Sequence, residues 1–170
     1  KAIECAKAGG ALISFDPNIR KELSGDSGAI ERLRRMTSYA DIIKPTLEEA
    51  RLLTGEHEIP AILQRLHGMG PRLVAVSRDK QGALLSAAGE EAAAPGIDVP
   101  VVDPTGAGDS FAAALCRCVQ RNSTLEEAAR FCNCVGTLVC TRRGAIGMAI
   151  PSLAEAEALM RSPLCTVAGR

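Results

Sequence analysis

The stretch Val102-Asp103-Pro104-Thr105-Gly106-Ala107-Gly108-Asp109-Ser110 combines the ingredients of anion chemistry with one residue that opposes them. Gly106 and Gly108 flank Ala107 just ahead of an apolar, helix-patterned run. A glycine-rich loop entering a helix turns several backbone N–H groups toward one point, and the helix dipole adds partial positive charge there. Such a place stabilises the charge that spreads over a phosphoryl group during transfer. Asp109, next in line, would repel a phosphate. It makes chemical sense as a general base, taking the proton of an acceptor hydroxyl while the amides of Gly106, Ala107 and Gly108 hold the transferring group. The competing reading is structural: Asp109 caps the helix and the glycines merely turn the chain. Two other phosphate loops are excluded by spacing. No lysine follows the glycines as GxxxxGK[ST] requires, and the third glycine position of GxGxxG is Phe111.

The elements that must position this loop follow from periodicity. Short apolar runs at 11–16, 40–44, 72–77, 82–87 and 97–103 predict strands, the last broken or edged by Pro100. Apolar stripes predict helices over 1–9, 29–39, 46–55, 60–69, 107–120, 124–141 and 152–161, with Gly9-Gly10 and Gly55 as stops. A polar loop covers 17–28, and a turn at Lys80-Gln81-Gly82 separates the third and fourth strands. Strands alternating with helices predict an α/β fold with a largely parallel sheet. Open sheets of that kind bind ligands outside the carboxyl ends of their strands. The residues just past strand ends are therefore candidates: Asp16, Asn18 and Arg20; Lys44, Thr46 and Glu49; Ser77 and Asp79; Asp103, Thr105 and the glycines.

Composition narrows the function classes. The 170 residues, 46% of them hydrophobic, suit one domain with a sizeable core. Lys+Arg and Asp+Glu both total 20, and no long basic run occurs, so a general nucleic-acid or membrane-surface role has no electrostatic support. No apolar stretch approaches the roughly 20 residues that span a bilayer. The opening Lys1-Ala2-Ile3-Glu4 does not read as a signal peptide, and a helical pattern from the first residues suggests a chain entered in mid-domain. The seven cysteines are odd in number and mostly lie in or near apolar helical runs, which reads as buried free thiols in a reducing compartment. A metal site from Cys116-x-Cys118 and Cys132-x-Cys134 is disfavoured, because residues two apart do not share a helix face and zinc sites usually show CxxC spacing. His57 and His67 read as surface residues.

The segment VVDPTGAGDSFAAAL (101–115) resembles the C-terminal signature of the ribokinase/PfkB family of sugar kinases, D-[TP]-T-G-A-G-D-x-F. Other segments agree in order. ISFDPNIR (13–20) is similar to a strand and loop of the family's fructokinases, and ADIIKPTLEEARLLTG (40–55) resembles a D-I-[IV]-K-x-N-x-x-E stretch ending in L-T-G. VAVSRDKQGALL (74–85) resembles the V-T-x-G-x-x-G hairpin, and NCVGTLVCTRRGAIGMAIP (133–151) the closing helix with its T-R-x-G-A turn. The resemblance implies a ribokinase-like, doubly wound, mostly parallel sheet flanked by helices. It also implies ATP-dependent phosphorylation of a sugar hydroxymethyl group. Carried over by position, Asp109 is the base and Gly106, Ala107 and Gly108 form the anion hole. Lys44, Thr46, Ser77, Asp79, Gly82, Thr105, Asn133 and Gly136 would serve the nucleotide, and Asn18 and Arg20 the sugar or phosphate. Glu49 would organise Mg²⁺ through water, and main-chain oxygens near Asp103, Thr105 and Gly144 could hold a monovalent cation such as K⁺. The implied partners are a small sugar and ATP, with no nucleic acid or membrane, in the cytoplasm, and with room for a homodimer of the full-length protein.

Three departures qualify the match. The motif's Asn is Thr46, and Thr46-x-x-Glu49 is equally a capping box. The glycine of V-T-x-G is Asp79, a carboxylate that would either weaken ATP binding or point to solvent in a turn. The family's N-terminal half, with its di-glycine motif, lid and most sugar contacts, has no counterpart. Residues 1–170 are thus expected to be the C-terminal, nucleotide-binding portion of a carbohydrate kinase domain, inactive alone and with a sheet edge exposed. Fructose is the favoured substrate. A 2-keto-3-deoxygluconate kinase, a nucleoside kinase and a noncatalytic nucleotide-binding remnant are the alternatives.

Overall fold

The computed structural model describes residues 1–19 and 26–165; Arg20 lies outside the described residues. The chain divides into two compact units, one of Lys1–Ser77 with Ser86–Glu90, the other of Arg78–Leu85 with the residues from Glu91 onward.

In the first unit α1 (Ala2–Ala8), β1 (Ser14–Phe15), α2 (Ser27–Thr37), β2 (Ile42–Ile43), α3 (Leu47–Thr54), α4 (Ile59–Met69) and β3 (Leu73–Ser77) alternate as expected. β1 pairs parallel with β2 (Ser14 with Ile42), and β2 with β3 (Ile42 with Leu73). β1 and β2 are shorter than the apolar runs that predict them, because Pro17 and Pro45 lack the N–H that a ladder needs. A single bridge, Thr46 with Ser77, carries the pairing one step further. Ile43, Leu53, Leu66 and Val74 are fully buried at the centre of this unit. α2 starts two residues earlier than its apolar stripe because Asp26 accepts from the N–H groups of Gly28 and Ala29. α3 ends at Gly55, which takes the left-handed conformation with φ 77°. His67 departs from the surface reading. It is half-buried, and its Nδ1 lies 2.9 Å from Pro71 O and its Nε2 3.0 Å from Ser86 Oγ. A carbonyl can only accept, so Nδ1 donates to Pro71 O, and the Ser86 hydroxyl can serve Nε2 as donor or acceptor.

All five strands hydrogen-bond in chain order, β1-β2-β3-β4-β5, with β4 at Ala83–Ala87 and β5 at Glu90–Ala94. Only two residues join β4 to β5, so this pair is a hairpin and the sheet is mixed, with its parallel pairings on the β1 side. β5 is missed by sequence reasoning because Glu90-Glu91-Ala92-Ala93-Ala94 is a poor strand former. The turn imposes it: Ala88 and Gly89 both have positive φ, 52° and 83°, the twist a tight hairpin requires. The expected strand at 97–103 is not a strand. Pro95, Pro100 and Pro104 remove donors, and Val102 and Asp103 both direct their N–H groups to Cys140 O.

The second unit is built on α5 (Ala107–Gln120), α6 (Leu125–Cys140) and α7 (Leu153–Arg161), as expected. α6 and α7 each start with a capping box, Thr124 with Glu127 and Ser152 with Glu155. Ala114, Cys118, Ala128, Ala129 and Cys132 are buried, and such small side chains allow α5 and α6 to approach closely. All seven cysteines are free, and the expectation that they are buried holds only for Cys118, Cys132 and Cys134; Cys5 is exposed and the rest are half-buried. Among the described residues no helix is long and apolar enough to cross a membrane.

Candidate active site

In the first unit the candidate residues gather at strand ends; in the second they lie at the Asp79–Gln81 turn, around the start of α5, on α6 and in the turn at Gly144. In the first, Asp16 follows β1, and its Oδ2 accepts from Lys44 Nζ at 2.7 Å. Lys44 is 3% exposed, so this charge is carried into the interior with a partner in place. Asp16 Oδ1 accepts from Asn18 N, and Asn18 adopts the left-handed region at φ 42°, exposed to solvent. After β2, Thr46 caps α3: Glu49 N donates to Thr46 Oγ1 at 3.2 Å and Thr46 N to Glu49 Oε2 at 2.7 Å. The capping-box reading is therefore realised. Glu49 does more, since its Oε1 accepts from Ile19 N at 2.6 Å. A carboxylate with two backbone donors still has lone pairs for a water, so this geometry is compatible with a water-mediated metal. Ser77 closes the cluster through its bridge to Thr46 and its N–H bond to Pro45 O.

In the second unit the glycine turn is braced by Asp103. Its Oδ1 accepts from Thr105 N and its Oδ2 from Gly144 N, each at 3.0 Å. The Thr105 hydroxyl, then the Thr105 and Gly144 amides, hold this carboxyl down at about 2. Gly106 is the N-cap of α5 in the left-handed conformation, φ 83°, and no side chain caps the helix. A Cβ on Gly106 would also lie 3.0 Å from the Ala145 Cβ, so glycine is required here by conformation and by space. Ala107 N donates to Pro104 O at 3.1 Å. Asp109 is exposed and stands third in α5, inside the first turn. It is not the cap; as a first-turn carboxylate it also meets the positive end of the helix dipole. Along α5 an open groove of about 460 Å³ is lined by Asp109, Ser110, Arg117, Phe131, Val135 and Leu153. The 142–145 turn is anchored from its other side by the Arg142–Glu155 ion pair.

The turn at Asp79–Gln81 is fixed by backbone crowding. A Cβ on Gly82 would overlap Ala94 O, and one on Gly96 would overlap Lys80 O. Asp79 stands at φ 47°, a conformation that glycine adopts freely and Asp tolerates. Its replacement of glycine therefore leaves the turn intact, with the carboxylate exposed. Asn133, on α6, donates from Nδ2 to Pro95 O at 2.7 Å. Gly136 lies one turn further along α6, where an added Cβ would make ordinary contact with Ala107 O and Phe111. Pro95 and Gly96, which tie this turn to α6, escaped sequence reasoning because their partners are distant in the chain.

Comparison with known proteins bears on the family and the fold. The sequence profile described as pfkB family carbohydrate kinase matches residues 1–153. Fructokinase-1 of Oryza sativa subsp. japonica is 34% identical over 171 residues, covering 95% of this chain and 53% of the relative. A candidate ribokinase II from E. coli, solved in complex with ATP and Mg²⁺, superposes with a TM-score of 0.86 at 34% identity, over 95% of this chain and 52% of that one. Fructokinase from Vibrio cholerae O395, solved with fructose, ADP and calcium ion, superposes with a TM-score of 0.81 at 32% identity, over 92% of this chain and 53% of that one. This chain thus spans about half the length of the curated relatives it matches. The fold, the glycine turn into α5 and the profile match across most of its length together place the chain in the pfkB family of carbohydrate kinases.

Proposed function

We propose that this chain is the nucleotide-side part of an ATP-dependent kinase that phosphorylates a hydroxymethyl group of fructose. The observation that carries the reading is Asp109, exposed in the first turn of a helix whose N-cap is a left-handed glycine with no capping side chain. ATP supplies the phosphoryl group. The first-turn amides and the α5 dipole favour negative charge at this end of the helix. Asp109 accepts the hydroxyl proton and aims the oxygen. Asp103, by fixing Thr105 and Gly144, sets the positions of the main-chain oxygens suited to a monovalent cation. Lys44, Thr46 and Ser77, with Asp79, Gly82, Asn133 and Gly136, serve the nucleotide. Glu49 serves Mg²⁺ through water, and Asn18 and Arg20 serve the sugar.

The test is ADP formation by the full-length protein with fructose, 2-keto-3-deoxygluconate, ribose and adenosine as acceptors. Turnover highest with fructose is expected. Preference for another acceptor would reassign the substrate, and tight ADP binding without turnover on any would make the protein a noncatalytic binder. Asp109→Asn keeps the size of the side chain and is expected to lower kcat by about 10²–10⁴ while ADP affinity stays within a few-fold. Retained kcat would end the assignment of the base.

A further inference from the structure

Cys134 lies in the middle of α6, fully buried, and its Sγ is 3.2 Å from the Sγ of Cys165. Cys165 ends the short 3-10 turn Pro163–Cys165 that follows α7, and it is half-buried. A disulfide needs sulfurs at about 2.05 Å, so closing this pair takes a movement of roughly an ångström. One partner is fixed in a packed helix and the other sits on a short turn, which is where such a movement costs least. We propose that Cys134 and Cys165 are an oxidative modification site that closes to an intrachain disulfide on exposure to a hydroperoxide.

The chemistry assigns the two thiols different parts. Cys165, the accessible one, attacks the peroxide as its thiolate: the O–O bond breaks, an S–O bond forms, and the second oxygen leaves as water with the thiol proton. Cys134 then attacks the sulfenic sulfur, the S–O bond breaks, and a second water departs. The sum is two thiols and one hydrogen peroxide giving one disulfide and two waters. Burial, then the hydrogen bond with Cys165, pushes the Cys134 thiol up, which leaves the first step to Cys165. What fits Cys134 to the second step is its place, with its Sγ 3.2 Å from the sulfur it must attack. Cys118 and Cys132 also hydrogen-bond through their side chains, but they are 5% and 0% exposed and so are shielded from the oxidant. The new bond would join residues 31 apart and hold α7 against α6, on the same side where Arg130 already donates to Met160 O.

The experiment treats the full-length protein with hydrogen peroxide, alkylates the remaining thiols and maps peptides by mass spectrometry without reduction. A Cys134–Cys165 cross-linked peptide is expected, lost on dithiothreitol treatment, together with a higher Tm for the oxidised form. Cys165→Ser should abolish both the cross-link and the rise in Tm. Cys134 and Cys165 recovered as alkylated thiols, Cys165 recovered as sulfinic acid beside a free Cys134, or a Cys118–Cys132 cross-link in their place would each overturn the proposal. None of these readouts depends on kinase turnover, so the proposal stands or falls separately from the substrate assignment.

Discussion

Asp103 uses both carboxylate oxygens on backbone N–H groups, one from Thr105 and one from Gly144. Its carboxyl is held at about 2 against an ordinary 3.8. A lowered carboxylate contributes stability that is present above the ordinary value and is lost as pH falls through the folded one. The expected outcome for Asp103→Asn is a lower Tm than the parent above about pH 4, with the gap closing between about pH 4 and 2. Tm measured for both proteins along a pH series checks this. Glu155, held at about 2 by the Ser152 amide and hydroxyl and by Arg142, titrates in the same window, but it is common to both proteins and cancels in the difference. The brace was not legible in the sequence, where Asp103 stood only as a neighbour of a cation site. Its second partner is 41 residues away, and no local pattern marks a side chain that satisfies a distant amide. The place of Asp109 in the first turn of α5 was legible, because the glycine turn and the helix start are local features.

At the scale of elements, α6 holds a glycine that packing does not demand. A Cβ on Gly136 would lie 3.6 Å from Ala107 O and 3.8 Å from the Phe111 ring, ordinary contact distances. A mid-helix glycine costs roughly 0.5–1 kcal/mol relative to alanine. Gly136→Ala should therefore raise Tm by a few degrees. If the nucleotide lies along this face, the same methyl should weaken ADP binding several-fold, and calorimetric titration beside a melting curve reads both. Unchanged ADP affinity would remove Gly136 from the nucleotide site. Helices were legible to within a residue or two because caps and apolar stripes are local, as Thr124, Ser152 and Gly55 illustrate. The strands at the hairpin were not. β5 is imposed by the Ala88-Gly89 turn on residues that do not favour it, and 97–103 has the apolar pattern but lacks the donors.

The chain as a whole covers about half of its relatives' length, and its candidate residues divide between two units. The sugar contacts available within it are few, with Asn18 the single described member of the proposed pair. We expect residues 1–170 expressed alone to form no ADP above background under conditions in which the full-length protein turns over. Coupled-assay rates for the two proteins at equal concentration test this, and comparable turnover would show that the chain is sufficient by itself.

The crossing of Gly82 and Gly96 has a genetic consequence. What each glycine's missing Cβ would strike is main chain, Ala94 O in one case and Lys80 O in the other. A clash against a side chain can be relieved by a compensating change in that side chain, and the lineage can drift through the pair. A clash against backbone has no such suppressor, because every amino acid presents the same carbonyl. Positions 82 and 96 are thus locked independently, and no second substitution at the struck residue frees either one.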